Sequence, residues 1–154
     1  DLDRMGKGTS MLEVVDQVAQ ERESSPRLYQ MLVGALRALA QHDSALVMPA
    51  FFWKLLSLEG AHPLLDQCAQ CGSPDDLVAF DISQGGVLCR ACRQGQAISP
   101  EALALIRRIL GGGLADVLNE PAGQATHEVE HLASRAMEAH LERRLRSLHV
   151  LDRG

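Results

Sequence analysis

Four cysteines fall in two pairs, Cys68-x2-Cys71 and Cys89-x2-Cys92, with seventeen residues between the pairs. No other feature restricts the fold as much. Each pair lets a tight knuckle aim two sulfurs at one ion about 2.3 Å away, and the gap falls in the range expected of a four-cysteine zinc site. Gly72 follows the first pair, where a tight turn can use a positive φ. Four thiolates complete a tetrahedron and leave no open position for water or substrate, so the spacing predicts one structural Zn2+ held by Cys68, Cys71, Cys89 and Cys92. Iron could occupy the same ligands. Two disulfides would need an oxidising compartment, and nothing in the sequence indicates export. A redox pair needs one Cys-x-x-Cys near a βαβ pattern, whereas this chain has two pairs. His62, six residues ahead of Cys68, reads as a surface or packing histidine.

Around this module the chain reads as helical. Its 154 residues are 46% hydrophobic, and a chain of this length buries roughly 70% of the surface it exposes when unfolded. With three Phe, one Trp and one Tyr, the core must come from aliphatic residues and Met, several of them strong helix formers. A capping box at Ser10 and Glu13 predicts a first helix carrying Met11, Leu12, Val14, Val15, Val18 and Ala19. That helix should fade through Glu21 to Ser24. Ser25 and Pro26 predict the start of a second, with Leu28, Met31, Leu32, Ala35, Leu36 and Leu39 as its stripe. A third apolar segment, Val47 to Leu58, stops at Gly60.

Residues 61–97 change character, with Pro, Gly, Asp and all four cysteines. They predict a small inserted module in which Leu77 to Ile82 pairs with Val87 and Leu88 across a turn at Gly85 and Gly86. Helix resumes after Ser99 and Pro100, carries Leu103, Leu105, Ile106, Ile109 and Leu110, and ends at Gly111 to Gly113. Asn119 to Gln124 reads as loop, and a long last helix runs from about Thr126 to Leu148. The expected architecture is mainly α: a helical segment 1–60, a zinc-ribbon-like module 61–97, and a helical segment 98–154 completing the same domain.

Charge and motifs narrow the function. A net charge of −5 argues against an independent duplex-binding regulator, because neutralising phosphates takes clustered Lys and Arg. No apolar run approaches the roughly 18 residues that span a bilayer, and no signal peptide is recognisable. The chain reads as soluble and intracellular, with no membrane partner, and its start at Asp1 reads as that of a fragment.

His127-Glu128-Val129-Glu130-His131 matches the His-Glu-x-x-His pattern of zinc metalloproteases, which makes a hydrolase the competing reading. The stripe Val129, Leu132, Ala133, Ala136 and His140 lies mostly opposite the two histidines, so they should face solvent. Ser134 and Met137 also stand where the extended metzincin pattern wants Gly and His. There is no Gly-x-Ser-x-Gly, and Gly111-Gly112-Gly113 lacks the lysine and strand of a phosphate loop. Basic residues gather at Arg90 and Arg93 beside the second knuckle, at Arg107 and Arg108, and at Arg143, Arg144 and Arg146. Cations near helix ends complement the macrodipole, and Glu142 stands four residues before Arg146, a favourable helical pair. Arg143 and Arg144 have no acid three or four positions away and read as freer to meet a partner.

Three stretches carry a family likeness. They are Phe51-x2-Lys54-Leu55-Leu56-x-Leu58-x-Gly60-x2-Pro63-x4-Cys68-x2-Cys71-Gly72, then Phe80-Asp81-x3-Gly85-Gly86-Val87-Leu88-Cys89-x2-Cys92 with Ile98-Ser99-Pro100-Glu101, and last His140-Leu141-x-Arg143-x-Leu145-Arg146-Ser147. Together they resemble the bacterial recombination mediators of the RecO family, from about Met11 to Leu148. The resemblance implies an N-terminal OB-fold followed by a helical domain with the zinc module, and this chain looks like the second part alone. It also implies a non-enzymatic role in DNA repair and homologous recombination: loading RecA on single-stranded DNA coated by single-strand-binding protein, and annealing strands. The implied partners are single-stranded DNA, mainly through the OB-fold, RecR, and the acidic, apolar tail of single-strand-binding protein. The implied location is the cytoplasm, at the nucleoid.

Overall fold

The computed structural model describes residues 2–21, 26–42 and 44–153, with side chains described for most of them. The first helix, α1 (Leu2–Glu21), pairs with α2 (Pro26–Gln41). Met11, Val14, Val15 and Val18 of α1 are buried as their spacing predicts, while Leu12 is half exposed. The capping box at Ser10 is corrected: Ser10 and Glu13 lie inside α1, which begins eight residues earlier. Two contacts carry the helix through that start. Lys7 bridges Asp3 one turn back at 3.1 Å, and Gly8 presents bare backbone to Leu36 and Leu39 of α2. The expected cap at Ser25 lies outside the described residues.

The centre of the molecule is α3 (Val47–Leu58). Val47, Met48, Pro49, Ala50, Phe51, Phe52, Trp53, Leu55 and Leu56 are all buried. A helix apolar on every side belongs inside, and α3 touches α1, α2, α4 (Pro100–Leu110) and α6 (Gln124–Arg153). It closes in a Schellman motif at Gly60, with Ala61 N–H donating to the Leu56 carbonyl and Gly60 N–H to that of Ser57. Ser99 caps α4 as expected, its Oγ accepting from Ala102 N–H at 3.1 Å. The chain leaves α4 through Gly113, whose N–H donates to the Arg108 carbonyl, into a short helix α5 (Leu114–Val117) that the sequence pattern does not reveal. Among the described residues no helix is long and apolar enough to cross a membrane.

Between α3 and α4 lies a three-stranded antiparallel sheet in the order β2-β1-β3. Strand β1 (Leu77–Asp81) pairs with β2 (Gly86–Cys89) on one side and with the two-residue β3 (Gln96–Ala97) on the other. The register sets Phe80 opposite Val87 and Ala79 opposite Leu88. Because strand side chains alternate between faces, one face gives Phe80 and Val87 to the helical core and the other gives Ala79 and Leu88 to the cysteines. Phe80 meets Trp53 of α3 edge to face, ring centroids 5.8 Å apart. Leu65, Phe80, Val87 and Ile98 belong to the same buried cluster as the helices, so the module is docked on the core.

Candidate metal centre

Two knuckles hold the cysteines, and backbone bonds hold the knuckles. Cys68 N–H donates to the Ser73 carbonyl at 2.7 Å and Gly72 N–H returns to the Cys68 carbonyl at 2.9 Å. Gly72 takes φ +82°, as the turn demands. Ala69 N–H donates to Val87 O at 2.8 Å and stitches the first knuckle to β2, while Cys92 N–H donates to Cys89 O across the second. The segment before the first knuckle runs along the start of β2: Leu64 N–H donates to Gly85 O and Val87 N–H to Leu64 O, both at 2.9 Å. Gly86 is required there, because a Cβ would lie 2.6 Å from the Leu64 carbonyl oxygen.

This scaffold brings the four sulfurs within 4.8 Å of one another. Cys68 and Cys89 are buried, Cys92 is half-buried and Cys71 exposed. None of the four is in a disulfide, and the Cys71 and Cys89 sulfurs are 3.6 Å apart. A tetrahedron with metal–sulfur arms of about 2.3 Å has edges of about 3.8 Å, so the donors fit a metal ion and could hold one. The electrostatics agree. Burial alone raises the Cys68 thiol, but backbone N–H groups of Cys71, Cys89 and Gln70 bring it down to about 6. The hydrogen bond with the Cys89 side chain, then burial, push Cys92 up to about 12. Four sulfurs this close cannot all be ionised without a cation among them.

His62 takes no part: its Nδ1 pairs with Ser57 Oγ at 2.8 Å. Among the described residues the four cysteines are the one group that gathers three or more such ligand atoms. The histidines of the protease-like motif stand on the outer face of α6, exposed, with the buried stripe Val129, Leu132, Ala133 and Met137 behind them. Glu128 turns away to accept the Ser99 hydroxyl proton at the N-terminus of α4, where a carboxylate also meets the positive end of the helix dipole. The motif serves helix packing.

The arginines divide into two groups, and one expectation is corrected. Arg144 is engaged: its guanidinium pairs with Glu59, a carboxylate whose side chain is 2% exposed at the end of α3. His140 lies 3.7 Å from the same carboxylate. A long-range partner takes the charge that the local spacing left free. Arg107 donates to the Leu65 carbonyl at 2.6 Å, and Arg108 pairs with Glu120 at 2.8 Å. Arg90 and Arg93 are exposed on the second knuckle. Arg143 and Arg146 face a groove beside the sheet, joined by Arg135, which the sequence reading did not single out because it sits mid-helix, away from the dipole end.

The chain matches the family profile described as "Recombination protein O C terminal" over residues 1–149. It is 36% identical over 161 residues to the DNA repair protein RecO of a Nocardioides species, covering 99% of this chain and 66% of that protein. It is 38% identical over 160 residues to the DNA repair protein RecO of Streptomyces coelicolor, covering 99% of this chain and 63% of that protein. Against the DNA repair protein RecO of Thermobifida fusca the identity is 33% over 159 residues, with 65% of that protein covered. The chain thus spans a little under two thirds of the relatives' length. With the fold, the two cysteine pairs and the match along 149 residues in agreement, the chain belongs to the RecO C-terminal family.

Proposed function

We propose that this chain is the helical, zinc-bearing portion of a recombination mediator that helps RecA displace single-strand-binding protein from single-stranded DNA and that anneals strands. The observation that carries the proposal is the family match over nearly the whole chain. The site chemistry supports a role without catalysis, since four cysteines around Zn2+ would leave no position for substrate. Cys68, Cys71, Cys89 and Cys92 are the proposed ligands, and the ion's work there is to hold the knuckles. The proposed setting is the cytoplasm, at the nucleoid, with RecR as a working partner.

The tail of single-strand-binding protein needs an apolar slot with cations beside it. Such a slot of about 290 Å3 lies between α2, α3 and α5, lined by Ala35, Phe51, Leu114 and Leu118. It shares Met31 and Lys54 with a second depression that Arg27 also borders. We assign the tail's terminal side chain to the slot and its carboxylates to Lys54 and Arg27. Lys54→Glu with Arg27→Glu is expected to weaken binding of a labelled acidic tail peptide about tenfold or more.

The test of the whole reading is RecA loading. RecA's ATP hydrolysis is followed on a DNA strand coated with single-strand-binding protein, with RecR present. The chain alone is compared with the chain joined to the additional segment its relatives carry. The joined, metal-loaded protein is expected to shorten the lag before hydrolysis, and no effect on that lag overturns the proposal.

A further inference from the structure

A groove of about 560 Å3 runs between the sheet and the second half of α6. One wall is α6, which presents Arg135, Ala139, Glu142, Arg143 and Arg146. These positions stand four, seven, eight and eleven residues apart from the first and therefore share a helix face. The opposite wall is the β1–β2 turn, with Ile82 and Ser83, and the loop through Gly95 and Gln96 into β3. That loop starts three residues after Cys92, so the metal knuckle anchors one wall.

The charges in the groove are free to act outward. Arg135, Arg143 and Arg146 are exposed, and among the described residues no ion pair holds any of them. Asp81, one of two acids in the groove, is folded back on its own turn. Its Oδ1 accepts from the Ser83 backbone N–H and hydroxyl, and its Oδ2 from Gln84 Nε2. Glu142 is the other. Three guanidinium groups spread along about 16 Å of helix form a line, not a point. They match a flexible polyanion whose charges recur at intervals and stay ionised, and each planar fork can take two oxygens of one phosphate.

We propose that this groove binds a single strand of nucleic acid through three successive phosphates, held by Arg135, Arg143 and Arg146. The choice of a strand over an acidic peptide rests on the proposed recombination reading. It gains support from the groove itself, because the apolar slot that a peptide terminus needs lies elsewhere, between α2, α3 and α5. The binding is blind to base identity. The one aromatic side chain in the groove, Phe80, is 2% exposed and turned into the core, so no ring is offered for a base to stack on.

The probe is a fluorescein-labelled oligo-dT strand, with fluorescence anisotropy as the readout. Three neutralised phosphates on a single strand give a slope of log K against log salt of about −2, an affinity loss of about twentyfold between 50 and 200 mM. Arg143→Ala with Arg146→Ala leaves one phosphate contact and should reduce that loss to about threefold. Glu142→Gln should tighten binding, and oligo-dA or oligo-dC should bind as oligo-dT does. All these side chains are exposed, and unchanged melting temperature and metal content would verify the fold. Three results overturn the proposal: no strand binding by the wild-type chain, an unchanged salt slope in the double arginine variant, or loss in Arg90→Ala with Arg93→Ala in place of the groove variants. Groove variants that lose the acidic tail peptide while keeping the strand would assign the groove to a peptide and also overturn it. Failure here leaves RecA loading by the joined protein untouched, so the two proposals fall separately.

Discussion

Replacing Phe80 by alanine tests whether the metal module is fastened to the helices through one shared core. Phe80 is 2% exposed, and its ring meets Trp53, itself 1% exposed, at 5.8 Å and an interplanar angle of 64°. Truncating a buried phenylalanine to alanine costs about 3–5 kcal/mol. Of this, about 0.5–1.5 kcal/mol is the edge-to-face pairing itself. Against a total stability of roughly 5–15 kcal/mol, the variant should still fold but lose a large share of its margin. With a urea m-value of about 2 kcal/mol per molar, the midpoint falls by about 1.5–2.5 M. Trp53 is the chain's one tryptophan, so its emission reports the junction directly while far-UV circular dichroism reports the helices. Both are followed at fixed excess zinc, because metal loss would add a second transition. The expected result is a single transition, coincident in the two probes and moved to lower urea. A midpoint shift below about 0.5 M, or emission that changes well before the helices melt, would refute the shared core.

Metal content gives the next prediction: purified chain should carry one zinc by elemental analysis, and Cys68→Ser should lose it together with a lower melting temperature, because ligand binding energy here is also folding energy. His127→Ala with His131→Ala should leave metal content unchanged and shift stability by no more than about 0.5 kcal/mol, as exposed sites do. Glu128→Ala, by contrast, removes the partner of Ser99 at the α4 cap and should cost about 1 kcal/mol in urea denaturation. Arg144→Ala removes the guanidinium from the buried Glu59 carboxylate, with His140 still beside it, and should cost up to about 3–5 kcal/mol, with Arg144→Ala plus Glu59→Gln recovering part of the loss.

Much of the fold is written locally, and those parts could be read. Helix α4 has Ser99 before Pro100 and a glycine stop after Leu110, and it runs between them. Helix α3 is an apolar run interrupted by Lys54 and Ser57 and closed at Gly60. The gathering of the four cysteines was legible for the same reason, since each knuckle is a four-residue unit whose spacing aims two sulfurs one way. Elements made by their neighbours were not legible. Strand β3 is two residues, Gln96 and Ala97, with no strand propensity of their own, and exists because Ile98 N–H reaches the Val78 carbonyl across β1. The first eight residues of α1 contain two glycines and no cap signal, and their helix is supported from the side by α2.

The arginines show where local reading stops and why. Spacing rules compare a charge with neighbours three or four residues away. By that measure Arg144 looked available and Arg146 occupied by Glu142. The structure reverses both assignments. Arg144 meets Glu59 from another helix, and no ion pair with Glu142 or any other described residue holds Arg146. Physics favours that reversal. An exposed i,i+4 pair is worth only about 0.3–0.5 kcal/mol, whereas a carboxylate as buried as Glu59 requires a partner, at a cost of several kcal/mol if it lacks one. The fold therefore assigns its nearest cation to the buried acid first. Among the cations left for the outside world, because no buried acid claims them, are Arg135, Arg143 and Arg146 along one groove and Arg90 and Arg93 on the knuckle. A charge's availability is thus fixed by the whole tertiary structure, and a scan of nearby residues cannot supply it.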